Sequence, residues 1–158
     1  FSTFCYSTHM SKPLITNHKA HFNYEILDTY EAGLVLLGSE VKSLRAGHGS
    51  LLEAFIILQD GELFLTKCYI KKYQFKSTGH VDEYRKRKVL IKKSEINEFI
   101  KHKKEAGLTL IPLSVYDKHG KLKLSFALAR GKKLHDKRET IKRRDADREM
   151  HRAMKERI

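Results

Sequence analysis

Two stretches of this chain hold residue types that could do chemistry. Gly131-Lys132-Lys133 with His135 and Asp136 offers a phosphate loop and an acid–base pair. Arg85-Lys86-Arg87-Lys88, joined by Lys92 and Lys93, offers a row of phosphate-binding cations. The phosphate-loop reading fails on spacing. Such a loop needs a glycine five positions before Gly131, where Phe126 stands, and Ser or Thr in place of Lys133. His135 and Asp136 lie in a basic segment with no evident pocket, so no scaffold holds them in catalytic geometry. The other histidines lack metal-ligand spacing, and nothing resembles a nucleophile elbow. The reading is therefore a non-enzyme with no catalytic residue, cofactor or metal.

The basic run is more informative. Six of the nine residues from Arg85 to Lys93 are Lys or Arg, and they run into an apolar strand centred on Val89–Ile91. A rigid, phosphate-facing edge is one account; a solvated barrel edge that blocks aggregation is the other. Tyr69, Tyr73 and Phe75 interleave with Lys67, Lys71, Lys72 and Lys76. Aromatics among cations stack on bases while lysines hold phosphates, but buried core aromatics explain the pattern equally well.

The elements that must position these groups are mostly short strands. His21–Asp28 alternates, with Phe22, Tyr24 and Ile26 on one side, and Gly33–Leu37 reads as a second, more buried strand. Ser39 sits at a helix N-cap position before the Val41/Leu44 pair, and Gly47 ends the turn. Asp60-Gly61 between Glu53–Gln59 and Glu62–Lys67 is a strong hairpin signal. Ser94 is placed to cap a helix with Ile96, Phe99 and Ile100 on one stripe. Leu108–Tyr116 and Lys121–Ala129 form a hairpin around Asp117–Gly120, with Leu122, Leu124, Phe126 and Leu128 alternating against Lys121, Lys123, Ser125 and Ala127. Six or seven strands with two short helices indicate a mainly β, OB-like Greek-key barrel over residues 15–129; pattern alone also admits an open α+β sheet.

Composition then narrows the partner. The 158 residues carry 32 Lys plus Arg against 19 Asp plus Glu, a formal net charge of +13. A compact chain with that excess repels itself unless it meets a polyanion, and nucleic acid is the first candidate. A membrane surface is the rival, but no apolar run approaches the roughly 20 residues of a spanning helix. Cys5 and Cys68 are far apart and outside any CxxC pattern, which indicates a reducing compartment. Residues 1–14 read as a flexible extension. Within it Met10 is a plausible start, with Phe1–His9 upstream of the natural protein or from an extended reading frame. From Arg130 to Ile158 there are 12 Lys or Arg, six acids and no aromatic residue. This tail is expected to be flexible when free. Its stripe of Ala146, Met150, Ala153, Met154 and Ile158 suits a helix formed on a charged partner; a solvated basic helix is the plainer account.

Several blocks, taken together and in order, resemble one family. They are Asn17-His18-Lys19-Ala20, Tyr30-Glu31-Ala32-Gly33, Gly38-Ser39-Glu40-Val41-Lys42-Ser43-Leu44-Arg45, Arg87-Lys88-Val89-Leu90 and Gly131-Lys132-Lys133-Leu134-His135-Asp136-Lys137-Arg138. From about Ile15 to the C-terminus the chain resembles the small protein B family, the SsrA-binding proteins. The resemblance implies an OB-type barrel that binds the tRNA-like domain of tmRNA. It also implies delivery of alanyl-tmRNA, with elongation factor Tu and GTP, to stalled ribosomes in the bacterial cytoplasm. On this footing Tyr24, Glu31, Lys42, Arg45, Arg87, Leu90 and Lys92 are expected on the tmRNA surface. Gly131, Lys132, Lys133, His135, Asp136, Lys137, Arg138 and Met154 are expected in a tail that enters the decoding centre and messenger channel. Lys92 stands where the family often has Asn or His, replacing a directional group with a point charge. Ala153 stands where a larger aliphatic residue is usual. A general single-strand RNA chaperone on the same barrel is the competing function.

Overall fold

The computed structural model describes residues 12–73, 81–103 and 107–156. The extension to Ser11, Phe75 and Lys76 of the aromatic cluster, and Ile158 of the tail stripe lie outside the described residues. In chain order the elements are β1 (Pro13–Thr16), α1 (Ala20–Asn23), β2 (Tyr24–Leu34), α2 (Gly38–Arg45), β3 (Gly49–Ser50), β4 (Phe55–Gln59) and β5 (Glu62–Thr66). Then follow β6 (Tyr69–Ile70), β7 (Arg87–Leu90), α3 (Lys93–Lys103), β8 (Leu108–Lys118), β9 (Lys121–Gly131) and α4 (Leu134–Glu156).

The sheet is antiparallel and closes on itself. Its strand order is β1-β8-β4-β5-β7-β2-β9, and β9 also pairs with β8, so six strands form a ring with β1 added alongside β8. This is the barrel expected from the strand pattern. The seam is narrow, since β4 meets β8 only at Ile56 opposite Leu110. The β4–β5 and β8–β9 hairpins are both set by two-residue turns. Asp60 and Gly61 take φ of 52° and 74°, and His119 and Gly120 take 53° and 79°. Positive φ at both central residues matches the twist of the flanking strands.

The barrel interior follows from period-2 alternation. Leu124 and Phe126 are fully buried, with Leu63, Leu65, Leu44 and Leu51 around them. Phe99 of α3 closes one end, its ring edge-on to Tyr30 at 4.7 Å and to Phe126 at 5.8 Å. A second, smaller cluster lies outside the ring, where Ala127 and Ala129 pack with Ala20 and Ile111. Ala127 and Ala129 are therefore buried although they face away from the barrel core.

Three expectations change in detail. The two early strands are one: β2 runs from Tyr24 to Leu34, and His21–Asn23 belong to the single turn α1 instead. A register shift between Ile26 and Asp28 makes the long strand possible by absorbing Leu27 as an extra residue. Ser39 and Ser94 are not caps. Leu37 precedes α2 and its N–H donates to Glu40 Oε2 at 2.8 Å. The N–H of Lys92 donates to Glu95 Oε2 at 3.3 Å at the start of α3. The sheet also reaches beyond the expected barrel limits, from Pro13 to Gly131. The tail is the helix α4, with every residue from Ile141 to Lys155 exposed.

Candidate nucleic-acid interface

One outer face of the barrel collects several of the expected RNA contacts, and the bulge at Leu27 is the reason. Side chains alternate along a strand, so Tyr24 and Glu31, seven residues apart, belong on opposite faces of a regular strand. The extra residue restores their parity. Tyr24, Ile26, Thr29, Glu31 and Gly33 face Gly131, Ala129, Ala127, Ser125 and Lys123 of β9 in register. Leu90 of β7 pairs with Gly33 and is 50% exposed. A β-carbon at Gly33 would lie 3.3 Å from Leu90 Cβ, so the glycine leaves room for Leu90 to lie across the strand.

Glu31 is the polar centre of this face. Its carboxylate accepts a hydrogen bond from the Tyr116 hydroxyl, and Lys118 Nζ lies 3.2 Å from each oxygen. Tyr116 stands opposite Lys123 across the β8–β9 ladder. The Tyr116 hydrogen bond, helped by Lys118 and Lys123 against partial burial, holds the Glu31 carboxyl below the usual glutamate range. Burial and the neighbouring carboxylate push the Tyr116 phenol up, so it stays a donor. The result is an exposed, ionised acceptor beside an exposed leucine on a rigid sheet. Tyr116, Lys118 and Lys123 were missed in the sequence. Folding the two arms back on His119-Gly120 would have placed Tyr116 opposite Lys123.

Arg87 requires a correction. It was expected on the RNA surface, but its side chain is fully buried. Its guanidinium donates to Glu40 Oε1 at 3.0 Å, to the Cys68 carbonyl at 2.7 Å, and to the Arg85 and Glu83 carbonyls at 3.0 Å each. Arg85 holds the same carboxylate at 2.5 and 2.8 Å. Burial alone would raise the Glu40 pKa, yet Arg85, the Leu37 N–H and Arg87 bring it below the ordinary value. Lys88 pairs with Glu62 at 2.5 Å, and Lys86 reaches Gln59 at 3.4 Å. Arg85 and Arg87 thus clasp α2 to β7 through Glu40, while Lys86 and Lys88 bond β4 and β5, so the run is no continuous phosphate-facing edge.

The remaining barrel residues separate. Arg45 bonds Asp117 at 3.2 Å and the Gly120 carbonyl at 3.0 Å. Asp117 alternates with Tyr116 and Lys118, so Arg45 lies on the other side of that hairpin from Glu31. Lys42 sits 5.5 Å from the Tyr73 ring centroid, and Tyr69 packs against Tyr84 at 5.3 Å. Lys92 is exposed where β7 gives way to α3.

The root of the tail meets the same outer face at Tyr24. Gly131 pairs with Tyr24, while Lys132 donates its N–H to Asn23 at 2.9 Å and its ammonium to the His21 carbonyl at 3.0 Å. His21, Tyr24, Lys132 and Asp136 share a cleft there. Asp136 accepts from the Lys133 N–H at 3.2 Å, which caps α4 in its first turn. Farther along, Arg144 lies 5.6 Å over the Phe22 ring. Lys133 and Arg138 are exposed, Lys137 is half-buried and Met154 is 59% exposed. The His135 side chain lies outside the described residues. Among those residues, no helix is long and apolar enough to cross a membrane.

Comparison with known proteins gives the family. The profile of the SmpB protein family matches residues 14–156. The chain belongs to the SmpB family. It is 48% identical over 147 residues to the SsrA-binding protein of Thermosynechococcus vestitus, covering 92% of this chain and 97% of that one. It is 49% identical over 145 residues to the SsrA-binding protein of Bartonella henselae, covering 91% and 92%. Among solved structures, a chain described under "tmRNA-SmpB: a journey to the center of the bacterial ribosome" is 46% identical, with a TM-score of 0.63. That match covers 75% of this chain and 84% of that one.

Proposed function

We propose that this chain is the tmRNA-binding protein of trans-translation. It binds the tRNA-like domain of tmRNA on the outer face of β2, β7 and β9, and it acts at stalled ribosomes. The observation that carries this reading is membership of the SmpB family over residues 14–156, with a tmRNA–SmpB ribosome structure as a near structural relative. The physical arrangement supports it. An ionised acceptor such as Glu31 is repelled by phosphate, so on an RNA-binding face it selects donors: unpaired base edges or ribose hydroxyls. Tyr24, Glu31, Leu90 and Lys92 form the tmRNA surface, with Lys118 and Lys123 supplying nearby positive charge.

The tail has a different task. Lys137 and Arg138 contact ribosomal RNA phosphates at the decoding centre, and His135 stacks there. Met150 and Met154, open to solvent on α4, are buried when the helix occupies a messenger channel that is empty. The check is steric, because a channel holding message has no room for the helix. Alanyl-tmRNA arrives with elongation factor Tu and GTP, and the protein works in the bacterial cytoplasm as an RNA-binding protein with no catalytic step of its own.

Competition binding tests this reading against a general RNA chaperone. The full chain should hold the tRNA-like domain against excess ordinary tRNA as salt is raised. Equal loss of both RNAs along one salt curve would show phosphate attraction alone and overturn it.

A further inference from the structure

We propose that Tyr116 is a positioning residue for the RNA contact of Glu31, leaving that carboxylate one acceptor site for a single donor from the RNA. This inference rests on the reading that Glu31 faces tmRNA. A carboxylate offers about four acceptor sites. On Oε2 one is filled by the Tyr116 hydroxyl and a second by Lys118 Nζ. On Oε1 Lys118 fills one more. Counted over the described residues, the remaining acceptor site therefore sits on Oε1. It suits one N–H of an unpaired base edge or one ribose 2′-hydroxyl, and it does not suit a guanidinium-like pair of parallel donors.

Tyr116 rather than Lys118 sets the aim. Its backbone is held in the β8–β9 ladder opposite Lys123, and a phenol has few rotamers to lose. Lys118 also occupies the carboxylate, but it is a roughly half-exposed cation on a flexible stem and directs the open site less sharply. With Tyr116 in place, the glutamate is pre-set before RNA arrives, and binding need not freeze it. Among the described residues, the charged and titratable groups facing Glu31 are Tyr116 and Lys118 from β8 and Lys123 from β9. The two lysines offset the negative charge near RNA phosphates; the phenol supplies direction.

The test uses the full chain and the tRNA-like domain of tmRNA as probe, with Tyr116→Phe, Glu31→Gln and the double substitution. Tyr116→Phe should weaken binding about three- to tenfold, the size of one net hydrogen bond. Ordinary tRNA binding and the salt slope should not change. The acid limb of the binding curve should move to higher pH, because the hydroxyl that lowers the Glu31 pKa most is gone. The double variant should be no weaker than Glu31→Gln alone. Lys118→Met serves as a second, independent variant and should give a smaller loss in the same direction. Wild-type affinity in Tyr116→Phe with loss in Glu31→Gln overturns the positioning role while keeping Glu31 as a contact. Additive losses in the double variant also overturn it, since Tyr116 would then act on its own. Wild-type affinity in Glu31→Gln removes the contact itself.

Discussion

The run from Arg85 to Lys93 and the helix α4 both carry cations, six of nine residues in the first and eight of 23 in the second, and the fold treats them in opposite ways. In the first, Glu40 is nearly buried between Arg85 and Arg87 and draws both guanidinium groups inward. In the second, Arg148 stands 3.9 Å from Asp145 with both side chains well exposed, and every cation from Lys142 to Lys155 lies in solvent. The difference teaches that cation density does not identify a nucleic-acid surface. What decides is whether the fold brings an acid into register with the cations. Positive charge held in the barrel builds the scaffold, and positive charge left in solvent is available to RNA.

The largest effect that would sharpen this contrast is on stability. Arg87→Ala leaves Glu40 buried with one fewer partner and should cost about 3–5 kcal/mol, read by chemical or thermal unfolding. A loss below about 1 kcal/mol would place Arg87 with ordinary surface cations. The pH dependence has a definite sign. Glu40 has a lowered folded-state pKa, so its contribution is fully present above the unfolded value of about 4.3. It is lost as pH falls through the lower folded value, and Glu40→Gln should flatten that acid limb.

The next effect lies in the tail. Lys137→Ala with Arg138→Ala should leave the melting temperature and tmRNA affinity unchanged while lowering tagging on stalled ribosomes about tenfold, the scale of one charge-assisted contact. A matching loss of tmRNA affinity would erase the division between the regions. The smallest effect belongs to Arg45→Ala. Its exposed pair with Asp117 should be worth about 1 kcal/mol or less, and tmRNA affinity should stay at the wild-type level because Arg45 lies across the hairpin from Glu31.

The barrel was legible where local chemistry sets geometry. Asp60-Gly61 marked the first hairpin, and the Leu122–Leu128 alternation marked the core side of β9. What stayed hidden depends on partners distant in sequence. Arg87 reads as one cation among six until Glu40, 47 residues earlier, is placed beside it. The acceptor at Glu31 gains its meaning from Tyr116, 85 residues away. The bulge at Leu27 has no signature in residue type, yet it decides that Tyr24 and Glu31 share a face. Motif resemblance named Glu31 and Leu90 together; only the register explains why they share a face.

The most direct measurement compares the full chain with residues 1–133, which keep all of β9 and the Lys132 bonds to α1. The account predicts equal affinity for the tRNA-like domain of tmRNA, within about threefold, with tagging on stalled ribosomes abolished. Loss of tmRNA affinity in a folded 1–133 chain, or tagging that survives without α4, would contradict it.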